Sequence, residues 1–295
     1  MKWWHWIMVG VLVGLVWVGV QMPDKNLHVV FCDVGQGDAS LIIKGDFQMV
    51  IDGGPSGEKL LSCLGNNLPF WDRKIEVVVN THPQKDHLGG LDELVERYKV
   101  EKLVINGVFG GGKDGERLRN YVNDRSHNLV IPQKGDVLRM GSLQFDILWP
   151  EERVGSELAW VGDNVKGPTL DMGVASVLGK NTDVNMVSVV GVLRYGNFKA
   201  MFTGDIGFDE EKKIKLEGVD VLKVAHHGSK YSSGDEFIEK TDPEVAVILV
   251  GKNTFGHPTK ETLDKLEQVG AKIFRTDLDG EVEVVSDGEK YWVQN

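Results

Sequence analysis

Short apolar runs closed by glycine or by polar residues recur along this chain from residue 27 onward. Many are rich in valine and isoleucine, and such short β-branched runs predict strands rather than helices. Between them, apolar residues recur at helical spacing, as in 88–97. In the first half, the predicted strands are 27–33, 39–44, 47–52, 75–80 and 100–106, and the predicted helices are 58–64, 88–97 and 113–125.

The same pattern restarts in the second half, after a stretch that lacks any sustained period. That stretch, 151–183, predicts a long surface loop in a position to cover a site. Strands followed by helices, twice over, predict two β-sheets packed face to face with helices outside. The predicted strands here are 143–149, 187–195, 198–202, 219–225, 245–250, 272–276, 281–285 and 290–293, and the predicted helices are 208–216 and 259–269.

The N-terminal segment differs in kind from the rest of the chain. Trp3 to Val20 is apolar except for His5, and Lys2 precedes it. Eighteen residues at a rise of about 1.5 Å nearly span a hydrocarbon core. Residues 1–22 therefore predict a transmembrane anchor or a signal peptide, and no small-residue cleavage site precedes Pro23, which favours the anchor.

Charge then orients this segment in the membrane. Lys2 is expected to stay inside, which places the rest of the chain, residues 27–295, outside the cytoplasm as the one domain of a single-pass membrane protein. Secretion after signal cleavage is the alternative. The N-terminal helix is thus the expected contact with the membrane, and the sequence identifies no protein partner.

Composition narrows the function classes. The chain has 295 residues and a net charge of −11, which disfavours non-specific binding to nucleic acid. A bound divalent metal would reverse the charge locally, so this argument does not exclude a nucleic-acid substrate. Cys32 and Cys63 lie in apolar runs and predict small core residues, with a disulfide between them as the less favoured alternative.

The stretch 81–90, THPQKDHLGG, joins a predicted buried strand to a predicted helix. It places His82, Gln84, Asp86 and His87 at the carboxyl end of a strand, which is where ligands bind in α/β sheets. Two imidazoles and a carboxylate within six residues suit zinc, manganese or iron. A helix-capping aspartate beside two solvated histidines is the alternative, and similar residues at later strand ends disfavour it.

The later strand ends carry further candidate ligands. Asp205 follows the strand 198–202 and is placed to bridge two ions, although a turn aspartate is an equal alternative. His226 and His227 follow the strand 219–225, and adjacent side chains point in different directions. One of them can therefore bind a metal while the other donates a proton or contacts a phosphate. His257, between Gly256 and Pro258, is either a positioned site residue or a plain loop histidine.

Taken together, these residues resemble the metallo-β-lactamase fold, and specifically the hydrolase domain of ComEC-type competence proteins. The resemblance covers about residues 27–293 and implies an α/β, four-layer αββα sandwich with a metal site at its edge, here preceded by one N-terminal transmembrane helix. It also implies hydrolysis of phosphodiesters, as expected of a nuclease linked to DNA uptake. The motifs that carry it are DVGQGD at 33–38, DGG at 52–54, THPQKDHLGG at 81–90, FTGD at 202–205, HHGS at 226–229 and GHP at 256–258.

The family's pattern also implies roles for single residues. One divalent ion, zinc or manganese, would be bound by His82 and residue 84, and a second by Asp86, His87 and His226, with Asp205 between them. Such an ion lowers the pKa of a bound water toward about 7. Asp86 would orient the attacking water as a catalytic residue. The expected contacts to the substrate or the departing oxyanion are Asp38, His227, Ser229 and His257.

Gln84 departs from the family's pattern, which has aspartate in the ComEC branch and histidine more widely at this place. An amide oxygen is a weaker metal ligand than either. A third histidine for this position is also missing, since His127 lies in what looks like a plain turn. The sequence therefore predicts one intact and one impaired metal position, and one or two bound ions.

Three function classes remain open. The first is a metal-dependent phosphodiesterase or nuclease outside the membrane. The second is a hydrolase of a small ester, lactone or β-lactam, because one fold hosts many chemistries. The third is a non-catalytic or weakly active, membrane-anchored metal-binding module, which Gln84 favours and the retained Asp86, His87, Asp205 and His226 oppose.

Overall fold

The computed structural model describes residues 3–20, 23–109, 112–124, 129–154 and 183–294. The predicted loop over the site falls largely on 155–182, which lies outside the described residues, as does His127. The helices are α1 (Trp3–Val20), α2 (Gly57–Asn67), α3 (Lys85–Leu88), α4 (Leu91–Arg97), α5 (Gly112–Asp124), α6 (Phe208–Glu211), α7 (Asp235–Thr241), α8 (Lys260–Gln268) and α9 (Thr276–Asp279).

The strands form two sheets, as predicted. The first has the order β15-β14-β1-β2-β3-β4-β5-β6 and the second β13-β12-β11-β10-β9-β8-β7, so the last two strands of the chain return to the first sheet. The strands are β1 (Leu27–Phe31), β2 (Ser40–Lys44), β3 (Phe47–Ile51), β4 (Lys74–Asn80), β5 (Lys99–Ile105), β6 (Leu129–Val130), β7 (Val137–Met140), β8 (Leu143–Trp149), β9 (Val190–Tyr195), β10 (Phe198–Phe202), β11 (Val221–Lys223), β12 (Val245–Ile248), β13 (Lys272–Arg275), β14 (Val282–Ser286) and β15 (Tyr291–Gln294).

Three apolar clusters define four layers. The central cluster lies between the sheets, where Phe31 of β1 stacks on Phe202 of β10 at a ring-centroid distance of 6.0 Å. The outer face of the first sheet packs on α2 and α4 through Leu60 and Leu91, and that of the second sheet on α7 and α8. Alternate strand residues thus face the two sides of each sheet, and the helix–sheet–sheet–helix order is confirmed.

Strand direction brings the candidate motifs to one edge. β3, β4 and β5 are parallel in the first sheet, and β10, β11, β12 and β13 are parallel in the second. The carboxyl ends of parallel strands meet at the same edge of a sheet. The loops that follow β3, β4, β10, β11 and β12 carry the candidate ligands or contact them, so both sheets contribute to one site.

Several element boundaries differ from the prediction. The expected helix 88–97 is two short helices, α3 and α4, separated by Gly89 and Gly90. A Cβ at Gly90 would lie 2.2 Å from the carbonyl oxygen of Gly53, so glycine lets the two loops touch. The expected helix 208–216 ends at Glu211, and the expected strand 219–225 ends at Lys223. The short elements β6, β7 and α7 lacked a clear period and were not predicted.

The N-terminal segment forms the helix α1, whose residues 3–13 are exposed. Among the residues that the structure describes, however, no helix is both long and apolar enough to cross a membrane. The predicted transmembrane helix is therefore not confirmed.

The two cysteines form a disulfide between the residue after β1 and the middle of α2, which corrects the prediction of two free core cysteines. Both are buried, as predicted. Apolar surroundings give the same sequence pattern for free and paired cysteines, so only the 5.8 Å between their Cα atoms decides between the two.

Candidate metal centre

The loops of the first sheet form one wall of the site. β4 ends at Asn80, and the next two residues, Thr81 and His82, are fully buried. Gln84 is the N-cap of α3, but its side chain caps no backbone amide. His87, in α3, has no exposed surface, whereas Asp86 beside it is 30% exposed. The turn therefore aims one imidazole inward and leaves a carboxylate at the opening.

The second sheet supplies the opposite wall through a strained turn after β11. His226 and His227 have φ angles of 51° and 53°, in the left-handed region that side chains other than glycine avoid. Each such residue costs about 1–3 kcal/mol and persists where surrounding contacts hold it. Here the amide of His226 donates to the carbonyl of Gly204 at 3.2 Å. The strain directs His227 inward and leaves the His226 side chain 29% exposed.

Asp205 lies where the two walls meet. Its Oδ2 is 3.3 Å from His87 Nε2, 3.5 Å from His227 Nε2 and 3.9 Å from His226 Nε2. His227 Nε2 is also 3.4 Å from Asp86 Oδ2. Residues from loops of both sheets thus place nitrogen and oxygen atoms around one small volume. His82 belongs to the same group, since its ligand atom lies within 4.8 Å of those of His87 and Asp205.

Hydrogen bonds behind the imidazoles hold their orientation. His87 Nδ1 lies 2.8 Å from Asp52 Oδ2, and His227 Nδ1 donates to the carbonyl of Leu249 at 2.8 Å. Thr81 donates its amide and its hydroxyl to the same Asp52 carboxylate, each at 2.7 Å. Metal-binding histidines commonly bond a carboxylate or a carbonyl through the second ring nitrogen. Both rings therefore turn Nε2 toward Asp205.

The atoms that face this volume fit a divalent ion. His82 Nε2, His87 Nε2, His227 Nε2 and both oxygens of Asp205 are buried without a hydrogen-bond partner among the described residues. Buried polar atoms are seldom left unpaired, because each costs about 1–3 kcal/mol. Imidazole nitrogen and carboxylate oxygen are ligands for zinc and manganese. A metal ion is the ligand that would satisfy all of these atoms together.

A buried cation lies beneath these ligands. The side chain of Lys223, at the end of β11, is 3% exposed, and its ammonium contacts Asp38 Oδ2 and lies 3.6 Å from Asp205 Oδ1. It also donates to the carbonyl of Gly204 at 3.0 Å. Asp38 Oδ1 is 3.2 Å from His227 Nδ1. Lys223 therefore offsets part of the negative charge below the site, and it forms an ion pair, without a hydrogen bond, with the Asp205 oxygen Oδ1.

The carboxylates set the charge of the histidines. Burial lowers the pKa of His227, but Asp205 and Asp38 raise it by more, to about 10. Burial and the neighbouring His87 instead lower the pKa of His82 to about 3. Burial raises the pKa of Asp86, whereas the His227 hydrogen bond and the charge of His87 lower it, to about 2 overall. The site thus attracts positive charge, which a bound dication would supply in place of the protons.

The structure brings together most of the predicted site residues. His82, Asp86, His87, Asp205, His226 and His227 share one volume, and the His257 ring lies 5.7 Å from that of His226. His227, predicted as a contact for the leaving oxyanion, sits deeper, among the candidate ligands. Asp38 and Ser229, predicted to contact substrate, are 3% and 2% exposed. Gln84 makes no side-chain cap and borders the turn.

Three residues that support the candidate ligands are not predicted by the sequence. Asp52 and Thr81 lie in the motifs DGG and THPQKDHLGG, whose pattern gives neither of them a role, and Lys223 has the pattern of an ordinary strand residue. A lysine inside an apolar run, Val221 to Ala225, was the one available signal, because a buried lysine needs a carboxylate partner.

Comparison with known proteins agrees with this geometry. The family model of the metallo-beta-lactamase superfamily matches residues 32–252. This chain belongs to the metallo-β-lactamase superfamily. Its ComEC-type relatives include ComE operon protein 3 of Bacillus subtilis (strain 168), 28% identical over 285 residues, and competence protein ComA of Neisseria gonorrhoeae, 25% identical over 266 residues. These alignments cover 87% and 88% of this chain but 32% of each relative, so the chain spans about a third of their length.

Solved structures show the same fold at low sequence identity. Igni18, a metallo hydrolase from Ignicoccus hospitalis KIN4/I, is 19% identical with a TM-score of 0.52, and the match covers 87% of this chain and 98% of that one. The metallo-β-lactamase fold protein YhfI from Bacillus subtilis is 13% identical with a TM-score of 0.51, covering 92% and 100%. These two structures support the fold of this chain, and its superfamily rests on the family model.

Proposed function

We propose that this chain is a metal-dependent phosphodiesterase that acts outside the cytoplasm, possessing the hydrolase chemistry of a ComEC-type domain. One observation carries the proposal: buried, unpaired ligand atoms from both sheets face one volume at the site edge. When bound there, a divalent ion would supply an activated water and Lewis acidity toward a phosphoryl oxygen. Zinc and manganese both suit the donor set.

The chain's own residues divide the remaining work. Asp86, at the opening and 3.4 Å from His227, is ionised and would orient the water. His257 lies at the mouth, and burial with the neighbouring His226 lowers its pKa, so it is neutral at pH 7. A neutral imidazole keeps one N–H donor, which suits a departing oxygen. Hydrolysis adds the water oxygen to phosphorus and breaks the bond between phosphorus and that departing oxygen, and one proton of the water ends on the departing oxygen.

The relatives' names supply the biological context. They are competence proteins, and a link of this chain to DNA uptake is part of the proposal. The Cys32–Cys63 disulfide favours an oxidising compartment outside the cytoplasm. Exposed Trp3, Trp4 and Trp6 on α1 favour contact with a membrane interface.

The decisive experiment measures metal content and hydrolysis together. The purified full-length chain is loaded with zinc or manganese and assayed on bis-p-nitrophenyl phosphate and on single-stranded DNA. Asp86→Ala, Asp205→Asn and His226→Ala should each lower bound metal and hydrolysis, whereas Asp209→Asn, at an 84% exposed side chain, should change neither. Full occupancy without hydrolysis of either substrate would overturn the proposal and favour the non-catalytic module that Gln84 suggests.

A further inference from the structure

A series of rings leads from the candidate metal centre to the protein surface. The ring centroids of His87 and His227 lie 5.5 Å apart, those of His227 and His226 6.2 Å, and those of His226 and His257 5.7 Å. The last step joins His257 to Phe255 at 5.8 Å. Exposure rises along the series, from 2% at His227 to 72% at Phe255. Phe255 thus extends the wall of the site into solvent.

The loop that presents Phe255 is held by one side chain. Asn253 Oδ1 accepts hydrogen bonds from the amides of Phe255, Gly256 and His257 at 3.0 to 3.1 Å. Its Nδ2 donates to the carbonyls of Gly251 and His257 at 2.9 and 2.8 Å. These five bonds fix the backbone on both sides of the exposed ring. A platform ordered before binding loses less entropy when a ligand arrives.

Charge around this ring favours an anionic ligand. The segments 226–234 and 251–260, which carry His226, His227, His257 and Phe255, contain three lysines and no aspartate or glutamate, in a chain of net charge −11. One of the three, Lys260, pairs with Asp264, which leaves Lys230 and Lys252 for an anionic ligand. Lys230 and Lys252 are exposed. An exposed aromatic ring beside lysines is the combination that binds single-stranded nucleic acid, through base stacking and phosphate contacts.

We propose that Phe255 is the stacking platform for a nucleobase of a single-stranded nucleic acid whose phosphodiester lies at the candidate metal centre. This assignment rests on the proposed phosphodiesterase function and adds a residue that determines substrate preference. The lysines would contact the phosphate backbone whatever the base, and the Phe255 ring would add affinity only where a base is present to stack on it. Loss of one base–aromatic stack typically weakens binding roughly 5- to 100-fold.

The test distinguishes binding to the bases from binding to the phosphate backbone. The metal-loaded full-length chain is titrated with two fluorescent 12-residue strands that share phosphorothioate linkages, one of thymidines and one abasic. Wild type should bind the thymidine strand about 5- to 100-fold more tightly. Phe255→Ala should remove this difference and leave abasic binding unchanged, and Phe255→Trp should restore it. Phe70→Ala should behave as wild type, since Phe70 is 55% exposed but precedes β4, at the opposite end of that strand from the site.

Equal binding of both strands by wild type, or undiminished discrimination in Phe255→Ala, would overturn the platform. An equal loss of affinity for both strands in Phe255→Ala would indicate that Phe255 stabilises its loop and does not stack on a base. Hydrolysis of bis-p-nitrophenyl phosphate is measured in parallel. Base-dependent binding without hydrolysis would refute the proposed phosphodiesterase activity and leave the stacking role of Phe255 standing. Hydrolysis without base-dependent binding would refute the stacking role and leave the phosphodiesterase activity standing.

Discussion

At the scale of single residues, the candidate metal centre depends on charges that are buried close together. Lys223 lies between Asp38 and Asp205, and all three are nearly inaccessible to solvent. Removing one partner of such a group leaves the others charged and unpaired in a medium of low polarity. The lysine therefore supports both the stability of the protein and the orientation of Asp205.

Lys223→Met is expected to lower the free energy of unfolding by about 3–5 kcal/mol, because it removes the buried cation that faces both Asp38 and Asp205. Urea unfolding of the metal-free protein measures this. Lys199→Met, in the neighbouring strand β10, is the matched control: Lys199 is 33% exposed and pairs with Glu217, so its loss should cost at most about 1 kcal/mol. Equal costs for the two variants would contradict a buried ionic role for Lys223.

Gln84 borders the turn that carries His82 and Asp86, and its amide carries no charge to offset the dehydration of a dication. Gln84→Asp and Gln84→His are expected to raise the affinity for metal by about 10-fold or more. Metal occupancy and phosphodiesterase activity should rise with it. Gln84→Met, of similar length but without an oxygen, should match wild type. Two tightly held ions in the wild type would refute the impaired position, and occupancy that rises without activity would favour the non-catalytic module.

At the scale of elements, α6 and α7 are joined through one buried carboxyl. Glu211 of α6 accepts hydrogen bonds from the amides of Ser233 and Gly234, which precede α7. Burial raises the pKa of Glu211 to about 6, and the two amides lower it only in part. The folded protein therefore binds a proton more tightly than the unfolded chain does.

The sign of the pH dependence follows from linkage. The contribution of Glu211 is full below pH 4.5, its ordinary pKa, and is lost as pH rises through about 6, a difference of about 2 kcal/mol. Glu211→Gln should remove this slope from urea unfolding measured between pH 4 and 7.5. Asp209→Asn, at the exposed carboxylate of the same helix, should retain it. An unchanged slope in Glu211→Gln would show that another titratable group causes the pH dependence of the free energy of unfolding.

The disulfide joins β1 to α2 beside the loop that leads to Asp38. With a sequence separation of 31, it should stabilise the protein by about 3–4 kcal/mol, since it restricts the unfolded chain. The double variant Cys32→Ala, Cys63→Ala should lose that amount in urea unfolding. A reductant should destabilise wild type equally and leave the double variant unchanged. Insensitivity of the wild type to reductant would contradict a formed disulfide.

At the scale of the whole molecule, we propose a location for the domain. The disulfide and the exposed tryptophans of α1 support a domain outside the cytoplasm and at a membrane. Protease added to intact cells should therefore digest residues 27–295, while a cytoplasmic marker protein survives. Full-length protein that is protected from protease and recovered in the cytosolic fraction would refute this location.

Much of this protein follows from the sequence by itself. β8 and β10 begin and end where apolar alternation places them, and the order of the six motifs indicates the superfamily, because strand pattern and motif spacing are local properties. The candidate ligands His82, Asp86, His87, Asp205 and His226 were also predicted, since imidazoles and carboxylates just after strands are readable along the chain.

Only the tertiary structure decided which atoms meet. His227 lies among the candidate ligands because a left-handed turn directs it inward, and that conformation depends on contacts with Gly204 rather than on its own neighbours in sequence. Asp52, Lys223 and the Cys32–Cys63 bond acquired their roles in the same way, through partners that are distant in the sequence. Asp52 bonds Thr81 and His87, Lys223 pairs with Asp38 and Asp205, and the two cysteines are 31 residues apart. Packing of two sheets sets such distances, and no local pattern encodes them.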